Sequence, residues 1–325
     1  MPLSFPNPRP RRMRILDRRE WLKITAAAAV GLPLASRAAP DLRARARKNL
    51  KLGVFTGVYA GLPLEEAARR MAADGFRAVV LQNAFADVQF DPSAPDWDKA
   101  RRITNTLAKH NLKVAGLFGY YNVVDPDPTR RQRGEQRMQV LIENWKQLGS
   151  PIISTETGTF NEKSEWAESP ENATEKGYEA CRAALAKLVQ AAKKTGAVIS
   201  IETYWKNVIS SIPRTQRVLK DVPGLKLVMD PCNYYRKEDL ARMDPLLEEM
   251  FRLLGKQVVL AHAKDVMASA DGTDLPAAGK GVLDYPLYLR LLAGLNRPLD
   301  LIIEHLTLED VPRARDFVLR QFDQI

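Results

Sequence analysis

The chain has few of the residues that hold small exported domains together. Only two of its 325 residues are cysteine, Cys181 and Cys232, and only three are histidine. Two cysteines without framework spacing exclude a disulfide-rich scaffold, and we expect both to be unbridged thiols. Three histidines are too few for a multi-metal site that is rich in imidazole groups. The 45% apolar and 27% charged residues are instead typical of a soluble globular fold.

Long apolar runs are also missing. The run near the N-terminus extends from Ile24 to Ala35, well short of the ~20 residues of a membrane-spanning helix. It follows a basic stretch that ends in Asp17-Arg18-Arg19-Glu20-Trp21-Leu22-Lys23, and it precedes the small-residue sequence Ser36-Arg37-Ala38. This order is typical of a cleaved export signal, and the paired arginines resemble the twin-arginine motif. The alternatives are an uncleaved N-terminal anchor and a chance Arg-Arg pair.

We therefore predict a twin-arginine signal peptide over residues 1–38, a basic arm over residues 39–51 and a single barrel domain over residues 52–325. The mature protein is expected in a bacterial periplasm, with the twin-arginine export machinery as a partner and no stable membrane span after cleavage. A homo-oligomer is compatible with the sequence, which leaves the oligomeric state open.

Acidic residues are outnumbered, since 49 Lys and Arg face 39 Asp and Glu for a net charge of +10. Such an excess often indicates a nucleic-acid partner. Residues 1–38 hold eight basic and two acidic side chains, and residues 41–51 hold five and one, so the remaining chain is neutral. The folded body therefore lacks the charge of a nucleic-acid binder, and we predict no nucleic-acid partner.

From Leu52 onward, short apolar strand patterns alternate with amphipathic helical patterns. Eight alternations in roughly 275 residues predict an α/β fold of the (β/α)8 TIM barrel class, as a single domain. A doubly wound open sheet is the alternative, but no Gly-x-Gly-x-x-Gly follows the first strand. The predicted strands are Leu52–Phe55, Ala78–Gln82, Lys113–Phe118, Pro151–Thr155, Val198–Glu202, Lys226–Asp230, Val258–Ala263 and Leu299–Glu304.

Chemically active side chains stand at the ends of the last four predicted strands. They are Glu202, Asp230, His262 and Glu304. Active sites of these barrels lie at the C-terminal ends of the strands. Each residue alone has an ordinary explanation, such as an ion pair, a turn or a buried histidine, but three converging carboxylates would repel one another without a cation. This set predicts a divalent metal ion, with Mn²⁺ first, then Mg²⁺, and with Co²⁺ or Zn²⁺ as alternatives.

The same strand ends carry motifs that resemble a known family. They are Ile201-Glu202-Thr203, Met229-Asp230-Pro231-Cys232-Asn233, His262-Ala263-Lys264-Asp265, Gly279-Lys280-Gly281 with Leu283-Asp284-Tyr285, and Ile303-Glu304. Together they are similar to the sugar phosphate isomerase/epimerase family of xylose isomerase-like TIM barrels, over about residues 52–310. The resemblance implies a metal held by the four residues above, with Glu202 and Glu304 also acting as the acid/base pair. Many relatives have a histidine where this chain has Asn233, and an amide can bind a hydroxyl but cannot be a general base.

Further polar and aromatic residues are predicted at the same rim. Glu156, after strand 4, either contacts sugar hydroxyls or supplies an extra acid, or it accepts hydrogen bonds from its loop. Lys264 shares a strand face with His262 and either binds an anionic intermediate or pairs with a glutamate. His305 is expected to point away from Glu304 by strand alternation. Aromatic residues at the rim stack on sugars or pack against loops. The predicted substrate-binding set is Glu156, Asn233, Lys264, Tyr204, Trp205 and Tyr120.

The leading prediction is a metal-dependent sugar isomerase or epimerase that works by proton abstraction next to a carbonyl, through an enediolate. Export favours a non-phosphorylated sugar or keto-sugar, because phosphorylated sugars are mainly cytoplasmic. The closest alternative is a metal-dependent lyase or hydrolase that cleaves 3-keto-glycosides after the same deprotonation. A non-catalytic sugar-binding protein is the other alternative. An apurinic endonuclease of the same barrel group is disfavoured, because three histidines and a neutral body do not suit a multi-metal DNA site.

Overall fold

Eight parallel strands close into a barrel in the computed structural model, which describes residues 35–270 and 272–325. Strands that are consecutive in the chain are neighbours in the barrel, and the first strand pairs with the last. The predicted (β/α)8 barrel is therefore confirmed, and Asp41–Ile325 forms one compact unit. The strands are β1 Leu50–Phe55, β2 Ala78–Leu81, β3 Lys113–Phe118, β4 Ile152–Glu156, β5 Val198–Glu202, β6 Lys226–Met229, β7 Val258–Ala263 and β8 Leu299–Ile303.

Helices follow the strands and cover the outside of the barrel. Side chains of Asp96, Asp127 and Ser211 accept hydrogen bonds from the first turns of the helices Trp97–Lys109, Pro128–Leu148 and Ile212–Asp221, which fixes where these helices begin. Among the described helices, none is long and apolar enough to cross a membrane. The described helices are α1 Ala35–Asn49, α2 Leu64–Ala73, α3 Trp97–Lys109, α4 Pro128–Leu148, α5 Glu175–Thr195, α6 Ile212–Asp221, α7 Met243–Leu254, α8 Tyr285–Gly294 and α9 Val311–Gln321.

The barrel also carries two short hairpins that the sequence pattern did not predict. Short hairpins follow β2, as Ala84–Phe85 with Val88–Gln89, and β7, as Met267–Ser269 with Gly272–Asp274. The twin-arginine motif of the predicted signal peptide lies outside the described residues. Both cysteines are buried free thiols, as predicted.

The barrel interior has its own apolar cluster, separate from the larger core in which helices and strands pack together. Because six different strands contribute to the smaller cluster, it fills the space inside the barrel. On β4 and β5 the interior is polar instead, and the hydroxyls of Ser154 and Ser200 lie 3.0 Å apart. The members of the interior cluster are Phe55, Ala78, Val80, Ala115, Val228, Leu260 and Ile302.

Candidate metal centre and substrate cavity

The interior face of four strands continues upward into a cluster of ionisable side chains. Side chains alternate along a strand, so the residue two positions after an interior residue faces the same way. Ser200 is followed in this way by Glu202, Val228 by Asp230, Leu260 by His262, and Ile302 by Glu304. One ligand atom from each of the four ionisable residues lies within 4.8 Å of the others, and all four residues are buried. The structure therefore brings together the four residues that the strand ends predicted.

His262 lies at the centre of this group. Its Nδ1 is 3.3 Å from Glu202 Oε1, 3.4 Å from Glu304 Oε2 and 3.8 Å from Asp230 Oδ2. The side chain has 0% exposure, and neither ring nitrogen has a hydrogen-bond partner among the described residues. Because buried imidazole nitrogens are normally partnered, these atoms are available to a metal ion.

Lys264 lies inside the same cluster. Its Nζ is 2.7 Å from Asp230 Oδ2, 2.7 Å from Glu304 Oε1 and 3.8 Å from Glu202 Oε1. The ammonium group therefore pairs with carboxylates, which was one of the two roles expected for it. With the imidazole in the neutral form that binds a metal ion, three carboxylates and one ammonium give the cluster a net charge of −2. A divalent cation would neutralise that charge, so the residues present fit such an ion.

Mutual electrostatics set the protonation of the cluster. Burial raises the pKa of Glu304, but Lys264 and His262 more than offset this and hold it well below its ordinary value. Burial lowers the pKa of His262, but the negative charges of Glu304 and Glu202 more than offset this and hold the pKa well above its ordinary value. Without a metal ion the imidazole therefore carries a proton that relieves repulsion, and cation binding displaces that proton.

Two neighbours hold the carboxylate of Glu202. The Tyr120 hydroxyl donates to Oε2, and Asn233 Nδ2 donates to Oε1 at 2.7 Å. Asn233 belongs to the 3-10 turn Pro231–Tyr234, whose first turn is capped by a side-chain oxygen of Asp230. The Asp-Pro sequence thus serves turn formation and leaves the second oxygen of Asp230 for the cluster. We expected the amide of Asn233 to bind a substrate hydroxyl. In the structure it orients Glu202, a candidate metal ligand.

A cavity of 540 Å³ opens above the cluster, within the ~300–1,000 Å³ range of small-molecule sites. Several wall residues follow β1 to β4, outside the four strand ends that carry the ionisable cluster. Gln82 directly follows β2, and its Oε1 accepts a hydrogen bond from the Gly57 backbone at 3.0 Å. The predicted residues Glu156, Asn233, Lys264, Tyr204 and Tyr120 line the cavity, together with Phe55, Gln82, Phe118, Trp166 and His305.

Trp205 is the predicted substrate contact that the structure does not bring to this cavity. It lies outside the set of described residues that line the cavity, and it is only 7% exposed. Lys206 Nζ lies 4.8 Å from the centroid of its ring, and Arg236 Cζ lies 4.7 Å from it. These cation–π contacts hold Trp205 in the surrounding loops, where it packs beside Tyr204.

Glu156 faces the cavity as a nearly buried carboxyl group. It is 5% exposed, and its Oε2 has no hydrogen-bond partner among the described residues. Burial, followed by Glu165 and Glu202, raises the pKa of Glu156 to about 8. Near neutral pH it is therefore mainly protonated and offers an O–H donor to a ligand.

His305 also lines the cavity, although strand alternation predicted the opposite direction. Its φ of 55° is left-handed, and this turn of the backbone breaks the alternation just after β8. Its Nδ1 lies 2.7 Å from the Leu275 carbonyl oxygen. A carbonyl oxygen only accepts, so Nδ1 carries a hydrogen. In the neutral ring Nε2, which lies 4.0 Å from Glu304 Oε1, is then an acceptor.

The glycine motif after β7 builds a loop. The carboxylate of Asp265 accepts hydrogen bonds from the backbone N–H groups of Val266, Gly279 and Leu283 at 2.9 to 3.0 Å. A Cβ at Gly281 would lie 2.5 Å from Asp265 Oδ1, so only glycine permits this approach. The Asp of the His-x-Lys-Asp motif therefore supports the site from outside the cavity.

Comparison with known sequences adds the family. The profile of the xylose isomerase-like TIM barrel family matches residues 65–318, which is most of the chain. The protein belongs to this family. No protein of curated function matches the sequence significantly.

Several solved structures share the fold at low identity. A Mycobacterium smegmatis member in complex with magnesium is 16% identical, with a TM-score of 0.61, covering 86% of this chain and 98% of its own. The 3-keto-D-glucoside 4-epimerase of E. coli is 18% identical, with a TM-score of 0.61, covering 85% and 100%. L-ribulose 3-epimerase is 16% identical, with a TM-score of 0.62, covering 85% and 95%.

Proposed function

We propose that the protein is a divalent-metal-dependent sugar isomerase or epimerase acting on a non-phosphorylated sugar or keto-sugar. The observation that carries this is the burial of three carboxylates and one imidazole at the floor of an open cavity. Burying such a group is costly unless a cation compensates it. A protein that only bound sugar hydroxyls would not need these buried charged groups.

The four clustered residues would hold the ion, and we propose Mn²⁺ first because oxygen ligands dominate the set. When bound, the ion supplies positive charge for the oxygen that becomes negative as a proton leaves the neighbouring carbon. The magnesium-bound member from M. smegmatis supports a hard divalent cation in this family.

Glu202 and Glu304 are the proposed acid/base pair. β5 and β8 are separated by β6 and β7 in the ring of strands, so the two carboxylates reach the centre from different directions. One glutamate, ionised, removes the proton from the carbon beside the carbonyl, and the other, which enters the step protonated, donates its proton to the opposite face. Lys264 holds Glu304 and keeps its pKa low, which maintains an ionised base.

The rest of the cavity would bind and orient the sugar. Protonated Glu156 donates to an acceptor oxygen, and His305 Nε2 accepts from a hydroxyl. The two epimerases that share this fold support proton transfer next to a carbonyl as the reaction. The predicted export signal favours a periplasmic enzyme and hence a substrate without phosphate.

The test is hydrogen exchange from solvent. The Mn²⁺-loaded protein is incubated in D2O with D-fructose, L-ribulose and methyl 3-keto-D-glucoside, and deuterium is located by NMR. We expect deuterium on the carbon next to the carbonyl of at least one sugar, at a rate that EDTA abolishes and Mn²⁺ restores. Absence of exchange in all three would contradict the proposal, and release of methanol from the glucoside would indicate elimination instead.

A further inference from the structure

Trp166 is an exposed aromatic side chain at the rim of the cavity. It is 56% exposed, yet it lines the 540 Å³ cavity together with Glu156 and Tyr204. An exposed indole leaves a large apolar surface in water. Because Trp166 lines the cavity, a ligand bound there can cover the indole and remove this apolar surface from water.

The loop that carries Trp166 is held by its own hydrogen bonds. Thr159 Oγ1 donates to the backbone oxygen of Ala167 at 2.8 Å, and Asn161 Nδ2 donates to the backbone oxygen of Glu168 at 2.8 Å. Both bonds span the indole position from one side of the loop to the other. The backbone on either side of Trp166 is therefore held in place, which lowers the cost of ordering this loop on binding.

A second cavity adjoins the first at this residue. It has a volume of 390 Å³, and Trp166 lines both cavities. Its wall is polar, so it offers donors and acceptors to a hydroxylated ring whose face lies on the indole. Charged side chains that line it include Asp125, Arg130, Glu162, Lys163 and Glu165.

We propose that Trp166 is the platform of a second subsite, which binds the ring attached through a glycosidic bond to the reacting sugar. The substrate is then a glycoside, and a free monosaccharide occupies only part of the site. The inner cavity holds the reacting ring next to Glu202 and Glu304, and the attached ring stacks on Trp166. The assignment of the inner ring rests on the proposed function.

Calorimetric titration of the Mn²⁺-loaded protein with phenyl and methyl D-glucosides tests the subsite without requiring turnover. We expect the phenyl glucoside to bind about tenfold more tightly than the methyl glucoside. Trp166→Ala should reduce this ratio to below about twofold, and Trp166→Phe should keep most of it. Leu319→Ala is the control, because it removes another exposed apolar side chain, 43% exposed, on α9.

Equal affinities in the wild type, or no binding of either glucoside, overturn the subsite. An equal loss of affinity for both glucosides in Trp166→Ala also overturns it. So does a smaller oligomer of this variant in light scattering, because that result places Trp166 in an interface. Trp166-dependent binding without deuterium exchange would contradict the proposed reaction and leave the subsite standing.

Discussion

Replacing Lys264 by methionine removes the one ammonium group that touches the carboxylate cluster from within the described residues. Its Nζ lies 2.7 Å from two carboxylate oxygens, and the side chain is 2% exposed. At an effective dielectric constant near 20, each such contact is worth about 6 kcal/mol before desolvation is counted. Breaking one side of a buried ion pair costs about 3–5 kcal/mol in measured cases. We expect the metal-free variant to lose this much stability.

Mn²⁺ should reverse much of that loss. With the imidazole neutral, loss of the ammonium changes the net charge of the cluster from −2 to −3, so the cluster attracts a divalent ion more strongly. We expect Lys264→Met to bind Mn²⁺ at least about tenfold more tightly than the wild type, equivalent to about 1.4 kcal/mol. A saturating concentration of ion then stabilises the variant more than the wild type.

Urea unfolding with and without Mn²⁺, combined with calorimetric Mn²⁺ titration, measures both effects. Lys280→Met is the matched control, because Lys280 Nζ is also 2.7 Å from a carboxylate oxygen, that of Asp310, but its side chain is 45% exposed. An exposed pair of this kind contributes up to about 1 kcal/mol. If Lys264→Met unfolds like the control and binds Mn²⁺ with unchanged affinity, the charge balance inferred for the cluster is wrong.

Four further substitutions test individual roles. Glu202→Gln and Glu304→Gln should each lower kcat by about 10²–10⁴-fold, and measured Mn²⁺ content separates lost acid/base chemistry from lost metal; near-normal turnover in either would refute the pair. The pKa of Glu156, raised to about 8, means that the unfolded chain loses this proton first, so wild-type stability falls as pH rises from about 4.5 to 8. Glu156→Gln should remove that fall in urea unfolding at pH 5 and pH 9, and an unchanged pH dependence would argue against it. His305→Asn keeps a residue that tolerates φ of 55°, and it should raise KM about fivefold to tenfold with little change in melting temperature; an unchanged KM would exclude His305 from substrate binding.

The barrel and the ionisable cluster follow from rules that are local along the chain. Apolar runs of strand length alternate with helical patterns, and parallel strands of one barrel end at one rim. A residue such as Glu202 or His262 is therefore placed by its distance from an interior residue on the same strand. For this reason the strand ends alone predicted that four residues spread over about a hundred positions lie close together, as the structure shows.

The cavity wall depends on contacts that no local rule contains. His305 faces the cavity because its backbone takes a left-handed φ and its ring bonds to the Leu275 carbonyl, which lies 30 positions away in the chain. Trp205 does not line the cavity because its ring packs against two cationic side chains in the surrounding loops. Trp166 lies in a loop after β4 without periodicity, so its position depends on the side-chain hydrogen bonds of that loop. Such arrangements arise only after the barrel has brought the loops together.

The departure from the family pattern at Asn233 has a consistent physical role. An amide cannot take a proton at neutral pH, so this position contributes no base. It donates instead to Glu202 Oε1, while Tyr120 donates to the other oxygen, and such bonds favour the ionised carboxylate. Glu304 is held in the same way by Lys264. Both glutamates thus have a fixed orientation and a polar partner. A two-base transfer across one carbon needs one of them ionised to accept a proton and the other protonated to donate one.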